Sequence, residues 1–215
     1  MGKLDNMKRK LRNFGIESLM LYVIITIGIV WAVSYLFPGT GITSYLYFDR
    51  NAILHGQVWR IITFLFMPQS SSPFMMLINL YFYYFIGNSL EQYWGKTKFT
   101  GYFLLGTLLL IVSGFITGYA YAYYLYFSMF IVYALLAPNQ QFLFLFVIPI
   151  KAKYLAMLDG VFLAFEFISG GAAARGSIIA CVVLILIFFG KDITGRLKAK
   201  KRYRDFQKNF NDRNN

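Results

Sequence analysis

Nucleophilic or metal chemistry needs particular residue types, and the chain of 215 residues holds one histidine, His55, and one cysteine, Cys181. That pair forms no internal disulfide and assembles no metal site, so neither a metal nor another cofactor is expected. Acyl-transfer chemistry needs a hydroxyl, a base within hydrogen-bond reach, and donors for the developing oxyanion. Ser128 is the only serine in the apolar stretch from Tyr119 to Ala137, and no glycine flanks it to expose its hydroxyl. A serine inside a membrane helix ordinarily bonds back to its own helix carbonyl or to a neighbour. His55 belongs to a different part of the chain and the lysines are all expected at the inner face. Neither a Ser-His nor a Ser-Lys pair is legible.

The carboxyl groups are candidates of another kind. Asp159 and Glu166 are seven residues apart in one apolar run, which puts them on nearly one face of a helix. A carboxyl within a bilayer is a functional candidate by default; the alternative for Asp159 is a protonated or hydrogen-bonded group facing Asn79 or Ser128. Glu166 is expected closer to the outer surface, solvated and opposite Arg175. Asn79 interrupts an apolar run and must find a partner within the bundle, because an unpaired amide in hydrocarbon costs on the order of several kcal/mol. Glu91 is expected to tie loop to helix near Lys96 and Lys98.

The elements that would position these residues follow from composition. With 58% hydrophobic, 20% aromatic and 14% charged residues, and a mean hydropathy of +0.55, the chain is too apolar for a soluble domain. Six runs approach the ~20 residues that cross ~30 Å of hydrocarbon. They are Ser18 to Phe37, Pro73 to Trp94, Phe99 to Gly118, Tyr119 to Ala137, Ala152 to Ser169 and Arg175 to Gly190. Tyr45 to Met67 is broken by Asp49, Arg50, His55, Gly56 and Arg60, so it is expected to lie in the membrane interface. The resulting organisation is a basic N-terminus over 1–17, a membrane domain over 18–190 and a basic tail over 191–215. The first apolar run is full length with no small-residue cleavage site, so it is expected to be retained. Asn6 breaks the myristoylation pattern.

Charge distribution tests this plan independently. Six spans with the N-terminus inside put all but three of the 21 basic residues on the cytoplasmic side, the exceptions being Arg50, Arg60 and Arg175. Both termini are therefore expected to be cytoplasmic. The net charge of +12 is mostly topology; dispersed along one membrane face without a recognition motif, it does not point to nucleic acid. The tail from Lys191 either lies on anionic lipid or is simply solvated.

Four motifs now fall in order along the chain: "GQVWRIITFLF" from Gly56, "FMMLINL" followed by "GNSLEQYWG" with Asn79 and Glu91, "APNQQFLFLFVIPIKAKYL" from Ala137, and Gly176-x-x-x-Ala180. Together they resemble the rhomboid superfamily of intramembrane proteins, most specifically the bacterial members through I-P-I-K-A-K-Y-L. The resemblance covers roughly Gly56 to Ala180. It implies an all-α, six-transmembrane-helix bundle with a long membrane-associated first loop, with Trp59 and Arg60 anchoring that loop in the outer headgroups and a bacterial plasma membrane as location. Gly176 and Ala180, like Gly114 and Gly118, remove side-chain bulk where helices approach closely.

Active rhomboids are serine proteases with a G-x-S-G serine, a base histidine on the sixth helix and an oxyanion-assisting histidine on the second. Aligned on the motifs, those three places fall near Tyr123 within "YAYY", on Ala173 and on Met75. All three lack the chemistry. What the resemblance implies is a pseudoprotease of the kind that includes the derlins, one that handles transmembrane clients reaching it between the second and fifth helices, with short helices thinning the surrounding lipid. Two other classes stay open: a protease with a nonstandard Ser128 site, and a small proton-coupled transporter using Asp159 and Glu166. No inverted repeat or interrupted helix pair marks a midplane transport site.

Overall fold

A computed structural model describes residues 15–144 and 148–189. Residues 1–14 of the basic N-terminus expected over 1–17, Gly190 with the tail expected over 191–215, and part of the "FLFLFVIPI" run lie outside the described residues. Six long helices follow one another: α1 (Leu19–Leu36), α2 (Pro73–Trp94), α3 (Lys96–Thr117), α4 (Tyr123–Leu136), α5 (Ala152–Ser169) and α6 (Ala172–Phe189).

Every expected apolar run is thus helical, but the six-span plan is met only in part. Among the described residues, α1, α3 and α6 are long and apolar enough to cross a membrane by length and composition. α2 carries Asn79, Asn88, Glu91 and Gln92, and α5 carries Lys153, Asp159 and Glu166, which lowers their hydropathy. α4 has 14 residues, about 21 Å at the helical rise. It is shorter than the run from Tyr119 because Tyr119–Ala120 is drawn out as a strand instead.

Helix ends follow local chemistry. Pro73 opens α2 at a position where a missing N–H costs nothing. Gly95 at φ 78° stops α2 and lets α3 begin at once. Gly118 at φ 99° stops α3; a Cβ there would meet no neighbour, so it is a helix stop rather than the packing position expected.

Four apolar residues of α1, Leu19, Met20, Val23 and Ile27, recur at helical spacing and are buried. They face α2, where a Cβ on Gly87 would lie 2.5 Å from Met20 Cβ. The start of α1 is held from a distance: Ser18 N–H donates to Glu91 Oε1 at 2.9 Å, and Ile16 N–H donates to Thr100 Oγ1 at 3.1 Å. Lys96 pairs with Glu17. That ion pair holds the exposed Glu17 carboxyl below its ordinary pKa, through the Lys96 hydrogen bond and then its charge.

The first loop contains three short α-helical or 3-10 turns beyond Leu46, Arg50–Leu54, Arg60–Thr63 and Phe64–Phe66. Asp49 Oδ1 accepts from Asn51 N–H at 2.9 Å and caps the first of them. Strand β1 (Phe48–Asp49) pairs antiparallel with β2 (Tyr119–Ala120), which stitches the loop to the end of α3. Phe48 is buried edge-on to Phe64 and Phe115, and a Cβ on Gly114 would lie 2.5 Å from its ring. A hairpin, β3 (Gln141–Phe144) with β4 (Ile148–Lys151), joins α4 to α5. α4 sits at the centre, packed against α2, α3 and α5.

Candidate functional site

A cavity of about 760 Å³ lies between α2 and α5 against α4. Asn79, Phe82, Tyr83 and Ile86 line it from α2, and Tyr123, Tyr126, Phe127 and Phe130 from α4. The α5 wall includes Leu158, Asp159, Phe162 and Glu166. Leu158 and Phe162 remain 68% and 50% exposed, so the cavity is a groove reached from the side of the bundle. Its shape arises because α2 and α5 each pack on α4 while Asp159 and Ala152 are the buried residues of α5.

Three residues singled out from the sequence meet in this groove. Asn79 is half-buried there and makes no hydrogen bond among the described residues, so the partner expected for its amide is not supplied by the bundle. Asp159 is buried and faces Asn79's groove rather than Ser128. Glu166 Oε1 accepts from Tyr123 Oη at 3.0 Å. Arg175, the partner expected for Glu166, instead donates to the carbonyls of Phe167 and Ile168, both at 2.9 Å. A guanidinium so close to the end of α5 finds free carbonyls nearer than the carboxylate.

The places where a protease would carry its dyad hold other interactions. Tyr123 opens α4 and is committed to Glu166. Ala173 is half-buried on α6, and Met75 near the start of α2 is 51% exposed. Ser128 is 1% exposed; Tyr102 Oη lies 2.9 Å from its oxygen, and Ser128 Oγ donates to the Leu125 carbonyl at 2.7 Å. With its proton on its own helix, the serine closes a buried chain from Tyr102 to Leu125. His55 is in the first loop, where its Nδ1 lies 2.6 Å from the Asn51 carbonyl.

Of the two residues expected to anchor the first loop in the headgroups, Arg60 departs from that role. Arg60 is 5% exposed and does not reach into headgroups. Its Nε donates to Gln57 Oε1 at 2.7 Å, one terminal nitrogen donates to the Tyr47 carbonyl at 3.0 Å, and its guanidinium carbon sits 4.7 Å from the Tyr47 ring centre. Loop carbonyls without ladder partners attract the cation inward. Trp59 does stay outside, 49% exposed, with Nε1–H donating to the Tyr45 carbonyl at 3.1 Å. The tyrosines of "GYAYAYYLY" divide: Tyr119 and Tyr121 are exposed, whereas Tyr124 and Tyr126 are buried.

On the other side of α4, Gly176 makes the close approach its spacing implied. A Cβ there would lie 2.5 Å from Ser113 Oγ and 2.7 Å from Thr117 Cγ2 of α3. Ala180, one turn on, is buried. Sequence reasoning missed Gly106, whose Cβ would lie 2.4 Å from Leu125 and 2.7 Å from Leu184, although it stands as a lone glycine within an apolar helix. It also missed Tyr126, which donates to the Leu65 carbonyl at 2.6 Å and stacks on Tyr83 at 4.3 Å. No local signal marks that tyrosine among its neighbours.

The profile of the Der1-like family matches residues 17–203. The chain belongs to the Der1-like family. Derlins fall within the rhomboid-like superfamily, so this Der1-like chain carries the ancestry that its motifs suggested, and the family together with the apolar helices makes it a multi-pass membrane protein. Among curated proteins, none matches the chain.

Proposed function

We propose that this Der1-like protein is a catalytically inactive rhomboid-like protein that binds transmembrane segments of other proteins in the groove between α2 and α5. The observation that carries the proposal is the groove itself, apolar-walled and open at the side, with Asn79, Asp159 and Glu166 on its surface. An apolar helix entering it would bury its side chains against Phe82, Phe127 and Phe162 while finding polar partners along one stripe. A 14-residue α4 favours a locally thin bilayer, which lowers the cost of moving a marginal helix sideways. Lipid is the other standing partner.

Inactivity is supported by the places of the missing dyad. Nucleophile, base and oxyanion donors act as a unit, so losing all three at Tyr123, Ala173 and Met75 leaves nothing to rescue singly. A nonstandard site at Ser128 draws no support from a buried hydroxyl that already donates to Leu125. We place both termini on the cytoplasmic side of a bacterial plasma membrane with six crossings, because that arrangement leaves only Arg50, Arg60 and Arg175 of the basic residues outside.

Photocrosslinkers installed at Phe82 and Phe162 in the full chain, reconstituted in lipid, should capture single-pass helices, and a fluorophosphonate probe should leave the protein unlabelled. Tyr123→Ser, Ala173→His and Met75→His should each remain inert towards a transmembrane substrate. Cleavage by the unmodified protein, abolished by Ser128→Ala, would install a protease in its place. Proton-coupled flux into liposomes, lost in Asp159→Asn, would install a transporter. Cysteine labelling of residues 3 and 208 from opposite sides would refute the topology.

A further inference from the structure

Resting on the client-binding reading, the chemistry of the groove also specifies which helices it should prefer. Asp159 lies near the middle of α5 and is 8% exposed. Its Oδ2 is fully buried and has no hydrogen-bond partner among the described residues, although the residue lines the groove. Glu166 stands seven residues on, about 10 Å along the helix and on nearly the same face. One of its oxygens accepts from Tyr123; Oε2 is buried and unpartnered. The stripe therefore has unfilled acceptors at two heights.

No lysine or arginine lines this cavity among the described residues. Arg175, just beyond the end of α5, donates to the carbonyls of Phe167 and Ile168, and Lys153, near its start, lies over the Tyr154 ring at 4.9 Å. A buried carboxyl held without a cation is costly in a low-dielectric setting, and so is a lone Lys or Arg in another protein's membrane helix. Seating the second against the first relieves both at once.

We infer that the groove selects transmembrane helices carrying a lysine or arginine within their apolar stretch, the cation seated on Asp159 beside Asn79. A second donor about two turns along the client helix would meet Glu166 Oε2. An all-apolar helix leaves Asp159 unpaired, and an acidic one sets like charges together. The cation-bearing helix thus outranks both.

The full chain, reconstituted in phosphatidylcholine–phosphatidylglycerol vesicles with a photocrosslinker at Leu158, would be offered four synthetic helices. These share one Leu-Ala host and differ at a single central residue, Leu, Gln, Asp or Lys. Capture of the Lys helix is expected to exceed that of the Leu helix by about tenfold, with the Asp helix lowest. Asp159→Asn should bring the Lys-to-Leu ratio close to one, and Glu166→Gln should lower it less. Equal capture of all four helices by the unmodified protein overturns the charge preference while leaving the client groove standing. Capture of lipid alone, or of no helix, overturns both. If Asp159→Asn does not elute as a folded species, the four-helix comparison on the unmodified protein still decides.

Discussion

The α3–α6 seam and the α2–α5 groove lie on opposite flanks of one central helix, yet one is closed and the other open. At the seam, Gly176 leaves no room for a Cβ beside Ser113 and Thr117, and Gly106 admits the ends of Leu125 and Leu184. Eight of the 22 residues of α3 are buried. α5 buries only Ala152 and Asp159 along its 18 residues, and its large apolar side chains Leu158, Val161 and Phe165 are each 67–68% exposed. Small residues let backbones approach and gain dispersion contacts that lipid cannot replace. Large aromatic walls hold helices apart. Buried polar oxygens without a partner occur on both flanks, Ser113 Oγ at the seam and one carboxyl oxygen each of Asp159 and Glu166, residues that line the groove; Ser128, on the seam side of α4, donates to Leu125.

The sharpest way to break this contrast is to overfill the seam. Gly176→Leu should destabilise the protein by about 3 kcal/mol, the upper end of overpacking costs, measured as a lowered unfolding midpoint in detergent; an unchanged midpoint would mean that α3 and α6 are not in close contact. Arg60→Met comes next, at about 2 kcal/mol, because Gln57 and the Tyr47 carbonyl lose a buried charged donor. Its signature would be protease sensitivity confined to the first loop.

Smaller effects sharpen the comparison instead. Ser128→Ala should cost only about 0.6 kcal/mol, the average for a membrane hydrogen bond. Leu158→Ala on the groove wall should move stability by less than about 0.5 kcal/mol while cutting client crosslinking, and equal stability losses at Leu158 and Gly176 would erase the distinction between the flanks. The smallest effect belongs to Glu17. Its carboxyl titrates lower when folded because of Lys96, so the stability it contributes is present above the ordinary carboxylate range of about 4.3 and fades as pH falls through the lower folded value. Glu17→Gln should remove that acid-side component of the unfolding curve and leave the neutral-pH midpoint nearly unchanged.

Much of the fold was legible without coordinates. The six apolar runs became the six long helices to within a few residues, and Gly176 met the neighbour its spacing implied. The groove was legible only through family resemblance. Asp159 and Glu166 could be placed on one helix face from their separation, but not the surface that face would meet. The resemblance implied a headgroup anchor at Arg60, which is instead buried on Tyr47 and Gln57, ordinary residues with no sequence mark.

Membrane residence, helix number and several helix ends were determined by the sequence by itself, since each rests on composition or on a turn's worth of neighbours: apolar runs, Pro73 at a start, Gly95 at a stop. Only the tertiary structure decided which polar group answers which. Ser18 finds Glu91 across 73 residues and Tyr123 finds Glu166 across 43, and Lys96 takes Glu17 rather than Glu91. Several acids and bases of similar reach compete for each such pairing, and helix packing selects among them by bringing one within about 3 Å and holding the others away.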